Sequence, residues 1–115
     1  MKTNWDEVKI FIKPGPTDMR KQINGLTILI HEEMQYDPFT GNLFVFCGRN
    51  RRNLKIIYWD RNGFCMWLKR LEEDKFPWPK NAEESREITE KQLDMLLDGI
   101  NFFNAHKKIN FSAVS

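Results

Sequence analysis

Hydrophobic and polar positions along the chain fall into blocks of different period. Val8-Lys9-Ile10-Phe11-Ile12 alternates well enough to predict a first strand, stopped by Pro14-Gly15-Pro16. Thr17 or Asp18 can cap a short turn through Met19-Arg20-Lys21. Asn24 is then expected to cap a helix reaching about Met34, with Ile23, Leu26, Ile30 and Met34 at helical spacing along one buried stripe. After the turn-forming stretch Tyr36-Asp37-Pro38-Phe39-Thr40-Gly41-Asn42 the period changes. Leu43 to Cys47, Leu54 to Trp59 and Phe64 to Leu68 are apolar runs of strand length, rich in aromatic or β-branched residues. Short polar breaks separate them, and the second break contains Asn62-Gly63, a hairpin signal. An antiparallel meander of three strands follows. Farther on, Pro77 and Pro79 forbid regular pairing, Arg86-Glu87-Ile88 suits a short edge strand, and Thr89-Glu90-Lys91-Gln92 has the pattern of a capping box. Behind that box Leu93, Leu96, Leu97 and Ile100 form a second helical stripe. Strands and helices in separate blocks predict an α+β protein, a small antiparallel sheet covered by two or three helices.

Composition narrows this picture only slightly. The 115 residues fit a single domain, with an ordered core expected at about 8–103 and a fraying tail at 104–115. With 41% hydrophobic and 30% charged residues the chain is globular in character. No run of about 18 apolar residues is present, so no membrane span is expected. The first seven residues lack the apolar stretch of a secretory signal, which predicts a cytoplasmic protein with reduced thiols at Cys47 and Cys65. Two cysteines and the distant His31 and His106 make no zinc spacing, and neither a metal nor a cofactor is expected.

The distribution of charge is more informative than its total of +2. From Leu43 to Leu71 the basic residues Arg49, Arg51, Arg52, Lys55, Arg61, Lys69 and Arg70 face Asp60 alone, a local balance of +6 that leaves −4 for the rest. Such segregation is what an anion-facing surface requires. Arginines at a hairpin tip can approach a duplex without disturbing a core, and their planar forks suit phosphate oxygens and guanine edges. The same arginines would also keep a sheet edge soluble. Aromatic residues crowd the region: Phe44, Phe46, Tyr58, Trp59, Phe64, Trp67, Phe76 and Trp78 could stack on unpaired bases or form the core. Trp78, flanked by prolines outside any strand, is expected as an exposed partner contact, with Phe76 beside it. Asp18, Arg20 and Lys21 fit either a charged site or a cap with solvated cations.

Catalytic patterns are missing from the sequence. A two-metal nuclease needs three carboxylates converging from core strands. Asp60 falls in a turn, Asp18 in a cap, and Glu72-Glu73-Asp74 in a charged connection. No nucleophile is arranged near either histidine, and neither a P-loop nor a dinucleotide fingerprint occurs. A non-enzymatic binding function is expected.

An ordered set of strings goes beyond composition. They are Gly15-Pro16-Thr17-Asp18-Met19-Arg20-Lys21, Asp37-Pro38-Phe39-Thr40-Gly41-Asn42-Leu43-Phe44-Val45-Phe46, Lys55-Ile56-Ile57-Tyr58-Trp59-Asp60, Phe76-Pro77-Trp78-Pro79 and Gln92-Leu93-Asp94-Met95-Leu96-Leu97-Asp98-Gly99-Ile100. From about Val8 to Phe102 the chain resembles the TnpB-type accessory proteins of the insertion sequence 66 family. The resemblance implies a small bacterial factor needed for transposition beside a separate, larger transposase that carries the acidic catalytic residues. It brings no catalytic residues with it. Cys47-Gly48-Arg49-Asn50-Arg51-Arg52 falls at a basic turn common in that family, and Cys47 departs from its pattern where a polar or basic residue is expected. Expected partners are therefore element-end DNA, met by the basic meander, together with the transposase and a sister accessory protein. The rival expectation is a protein–protein adaptor that does not touch DNA.

Overall fold

In the computed structural model, residues 7–81 and 86–100 are described; the expected tail from residue 104 lies outside them. Five strands form one mixed sheet: β1 (Ile10–Ile12), β2 (Leu43–Cys47), β3 (Asn53–Asp60), β4 (Gly63–Arg70) and β5 (Arg86–Ile88), in the order β4-β3-β2-β1-β5. The predicted meander is its antiparallel half, β2-β3-β4. The other half differs from the expectation of a three-stranded sheet. β1 lies parallel to β2, with Phe11 opposite Phe44, and β5 closes the far edge antiparallel to β1. A parallel pair needs a long crossover, and residues 13–42 supply it.

That crossover holds α1 (Ile23–Leu29), which continues as a π-helical segment, Ile30–Met34. The expected stripe is right, but the cap is not: Gln22 occupies the N-cap without a side-chain bond and Asn24 lies inside the first turn. Gln35 ends the helix in the left-handed region at φ 61°. Lys13, just past β1, is 3.6 Å from Glu33. The second helix, α2 (Glu90–Leu97), begins at the predicted capping box. The Gln92 amide donates to Thr89 Oγ1 at 3.1 Å and the Thr89 amide donates back to Gln92 Oε1 at 2.9 Å.

Both faces of the central strands are buried, which makes three layers. On one face Phe11, Phe44, Phe46 and Ile57 meet Leu26, Leu29, Ile30 and Met34 of the first helical segment. On the other, Ile10, Ile12, Leu43, Val45, Leu54 and Ile56 meet Leu93 and Leu96 of α2 together with Phe76 and Trp78. Burial on both sides explains why β2 reads as an unbroken apolar run rather than an alternation. Among the described residues no helix is long and apolar enough to cross a membrane.

Candidate nucleic-acid interface

Three segments converge at one end of the sheet. The first is the loop that follows β1, residues 13–22. Its Thr17 amide donates to the Cys47 carbonyl at 2.8 Å, which seats the loop on the last residue of β2. The second is the turn between β2 and β3, closed by Gly48 N–H donating to Asn53 O and Arg51 N–H donating to Gly48 O. The third is the connection after β4, whose Phe76 amide donates to Arg51 O at 2.7 Å. Close approach of the first two depends on Gly48: a Cβ there would lie 2.7 Å from Met19 Cγ. Arg51 takes a left-handed conformation, φ 60°, to close the turn.

A cleft of about 570 Å³ opens between loop and turn, lined by Pro16, Thr17, Asp18, Arg20, Arg49 and Asn53 among others. Pro16 and Arg49 also line a smaller neighbouring cavity of about 200 Å³, whose other walls include Arg51, Trp78 and Lys80. Asp18 caps the loop as expected. Its carboxylate accepts from the Arg20 amide at 2.9 Å and from Arg20 Nε and Nη2 at 3.0 and 2.8 Å. Those bonds to Arg20 hold the Asp18 carboxyl well below the usual range, and the same pairing raises the guanidinium further. Thr17 does not cap. It is 5% exposed, and its hydroxyl has no partner among the described residues.

The seven cations singled out by sequence do not act as one group. Arg49 is exposed at the turn, with Arg51 and Arg52 half-buried beside it. Arg52 donates Nη1 to the Glu72 carbonyl at 2.8 Å, and Arg70 pairs with the Glu72 carboxylate at 2.8 Å. Pairing of Asn53 with Arg70 and of Leu54 with Lys69 brings the end of β4 to this same end of the sheet. Lys69, however, donates its ammonium to the Leu97 carbonyl and so ties β4 to α2. Arg61 sits in the opposite turn, φ 51°, about 25 Å away along β3.

Lys55 requires a correction. It is 4% exposed, and its ammonium donates to the carbonyls of Met19 and Lys21 at 2.8 Å each. Its parity on β3 places it under the loop that precedes α1, so it is a latch for that loop and not a surface cation. The expected exposed contacts at Trp78 and Phe76 are corrected too. Phe76 is fully buried, and Trp78 is 7% exposed with its indole N–H donating to Lys13 and Gly15 carbonyls at 3.1 and 2.9 Å. The prolines around Trp78 hold an extended segment over the sheet; they do not display it to solvent. Cys47, where a polar residue was expected, is buried in the same core.

Both alternatives expected for Asp18, Arg20 and Lys21 meet in the structure, since the Asp18 cap also lies in a charged cleft. Thr17, one of the two expected caps, and Arg20, expected in a charged site or as a solvated cation, line the cleft with Arg49. Only the bond from Thr17 to Cys47, between residues thirty apart, shows it. Among the described residues no group of three or more His, Cys, Asp or Glu could hold a metal ion.

Comparison with known proteins agrees with the resemblance. The family model described as IS66 Orf2 like protein matches residues 8–107. An uncharacterized protein of Sinorhizobium fredii, y4hO, is 39% identical over 95 residues, which cover 83% of each chain. A second from the same organism, y4jC, is 29% identical over 101 residues, 88% of this chain and 86% of the relative. No solved structure matches the chain significantly. With its sheet, its loop strings and nearly its whole described length inside that match, the chain belongs to the IS66 Orf2-like family of transposition-associated accessory proteins.

Proposed function

We propose that this protein is a non-catalytic subunit of a transposition complex that contacts DNA of the insertion sequence through the loop-and-turn end of its sheet and assists a separate transposase. The observation that carries the reading is the convergence of Arg20, Arg49, Arg51 and Lys80 around two adjoining cavities, where the single acid among the described lining residues, Asp18, is already neutralised by Arg20. A rigid sheet end presenting guanidinium groups from two loops suits a phosphate backbone, which needs cations held at fixed separation more than it needs base-reading groups.

The adaptor reading keeps one specific observation in its favour. Strand β4 lies at the sheet edge with Trp67 42% and Leu68 54% exposed, an apolar margin that another protein could extend or cover. The two readings separate in one experiment. Changing Arg49 and Arg51 to Glu should abolish binding to an element-end duplex in fluorescence anisotropy and leave capture of the transposase intact. Lost capture with unchanged DNA binding would instead establish the adaptor.

A further inference from the structure

We propose that the cleft between the loop after β1 and the β2–β3 turn is a subsite for one phosphate group of a nucleic acid or nucleotide, with the Thr17 hydroxyl, Arg20 and Arg49 as its donors. The inference rests on the reading above and gives it an atomic location.

Thr17 is the first reason. Its backbone is already fixed by the bond to Cys47, and valine would fill the same volume. The hydroxyl is nevertheless present, buried and unpartnered among the described residues, on a residue that lines the cleft. A buried hydroxyl left without a bond costs stability, and a ligand acceptor would remove that cost.

The second reason is the Asp18–Arg20 clamp. The carboxylate accepts Nε at 3.0 and 3.2 Å, Nη2 at 2.8 Å and the Arg20 amide at 2.9 Å. Asp18 is thereby occupied, while Nη1 and one Nη2 proton of Arg20 remain for an anion. Arg20 is 90% exposed, and its bonds to Asp18 bias the guanidinium toward one orientation with its outer edge open to an anion.

The opposite wall agrees. Arg49 lines both cavities, and Asn50 has committed its carbonyl oxygen to the Arg52 amide at 3.0 Å, which leaves its NH2 as a donor. A cleft lined by spare donors from two segments calls for a ligand with acceptors in several directions, and phosphate supplies them. At about 570 Å³ the space also accommodates the sugar or base attached to it.

The test measures anisotropy of a labelled element-end duplex at low salt, with deoxyadenosine monophosphate as competitor and as a separate titrant. Wild type is compared with Thr17→Val, Arg20→Lys and the exposed α2 control Lys91→Gln, and each is melted. The expected result is affinity roughly tenfold weaker for Thr17→Val and for Arg20→Lys, unchanged for Lys91→Gln, with Thr17→Val melting at or above wild type. Should Thr17→Val fail to fold, Arg20→Lys alone decides, since it keeps the charge and removes the fork. If wild type binds the duplex and both variants match it, the subsite is wrong and the DNA reading stands. If the duplex is ignored but the nucleotide binds in a manner sensitive to Thr17 and Arg20, the subsite stands for a free nucleotide and the DNA reading falls. Binding of neither overturns both.

Discussion

Lys55 shows how much one side chain can decide. A buried ammonium is costly unless bonded, and here two backbone carbonyls bond it. Replacing it with Met would keep the volume and leave the Met19 and Lys21 carbonyls without their donor. Lys55→Met should therefore destabilise by about 1–3 kcal/mol in a urea melt and expose the loop after β1 to protease. Cys47 illustrates the opposite case, a group made inert by position. Burial pushes its thiol up to about 12. In native protein at pH 8 an alkylating reagent should modify the half-buried Cys65 and spare Cys47. The sign for stability follows: with the folded-state value raised, the contribution is fully present below the ordinary thiol value. It is lost as pH climbs past that value toward 12.

At the scale of elements, α2 depends on its start. It has eight residues, too few to be stable alone, and its attachment comes from Leu93 and Leu96 in the core. The capping box fixes where it begins. Thr89→Ala should cost about 1 kcal/mol, read as a lower thermal midpoint, with Thr89→Ser close to wild type. The hairpin between β3 and β4 forms where Asn62-Gly63 predicts a turn, but one residue earlier than that dipeptide suggests. Asp60 pairs with Gly63, so Arg61 and Asn62 are the turn residues and Arg61 takes the left-handed position. Registration of Ile56 with Trp67 and Ile57 with Met66 outweighs the local cost, because a one-residue slip would turn every side chain of β4 to the wrong face.

Over the whole molecule, the cations divide into those that hold the fold and those left for a ligand. Lys55 and Lys69 hold it. Arg20, Arg49, Arg51 and Lys80 surround the cavities. Arg20 is paired with Asp18, so if the other three each neutralise a phosphate, log affinity falls against log salt with a slope of about −2.7. Duplex affinity should then drop roughly 40-fold between 50 and 200 mM salt, and a slope near zero would remove direct DNA contact from the proposed function.

Much of this protein is written in local sequence. The antiparallel meander, the stripe on the first helix, the edge strand at Arg86–Ile88 and the capping box at Thr89 depend on periodicity and on side chains acting within a few residues of themselves, and each is where the sequence predicts it. The α+β class follows from their order. Tertiary structure decided what depends on residues far apart in the chain. The unbroken apolar run Leu43 to Cys47 did carry the sign of a strand covered on both faces, but nothing local could say that β1 would lie parallel beside it. Trp78 looked exposed because its prolines exclude it from a strand, whereas its indole found two carbonyls more than sixty residues away. Lys55, behind the arginine loop, is expected as one more anion-facing cation, but the loop after β1 folds over it. Charge patterning gives the number and sign of cations in a segment. Which of them faces a ligand is settled by packing, since a cation that can reach buried carbonyls is drawn into them and one that cannot stays at the surface.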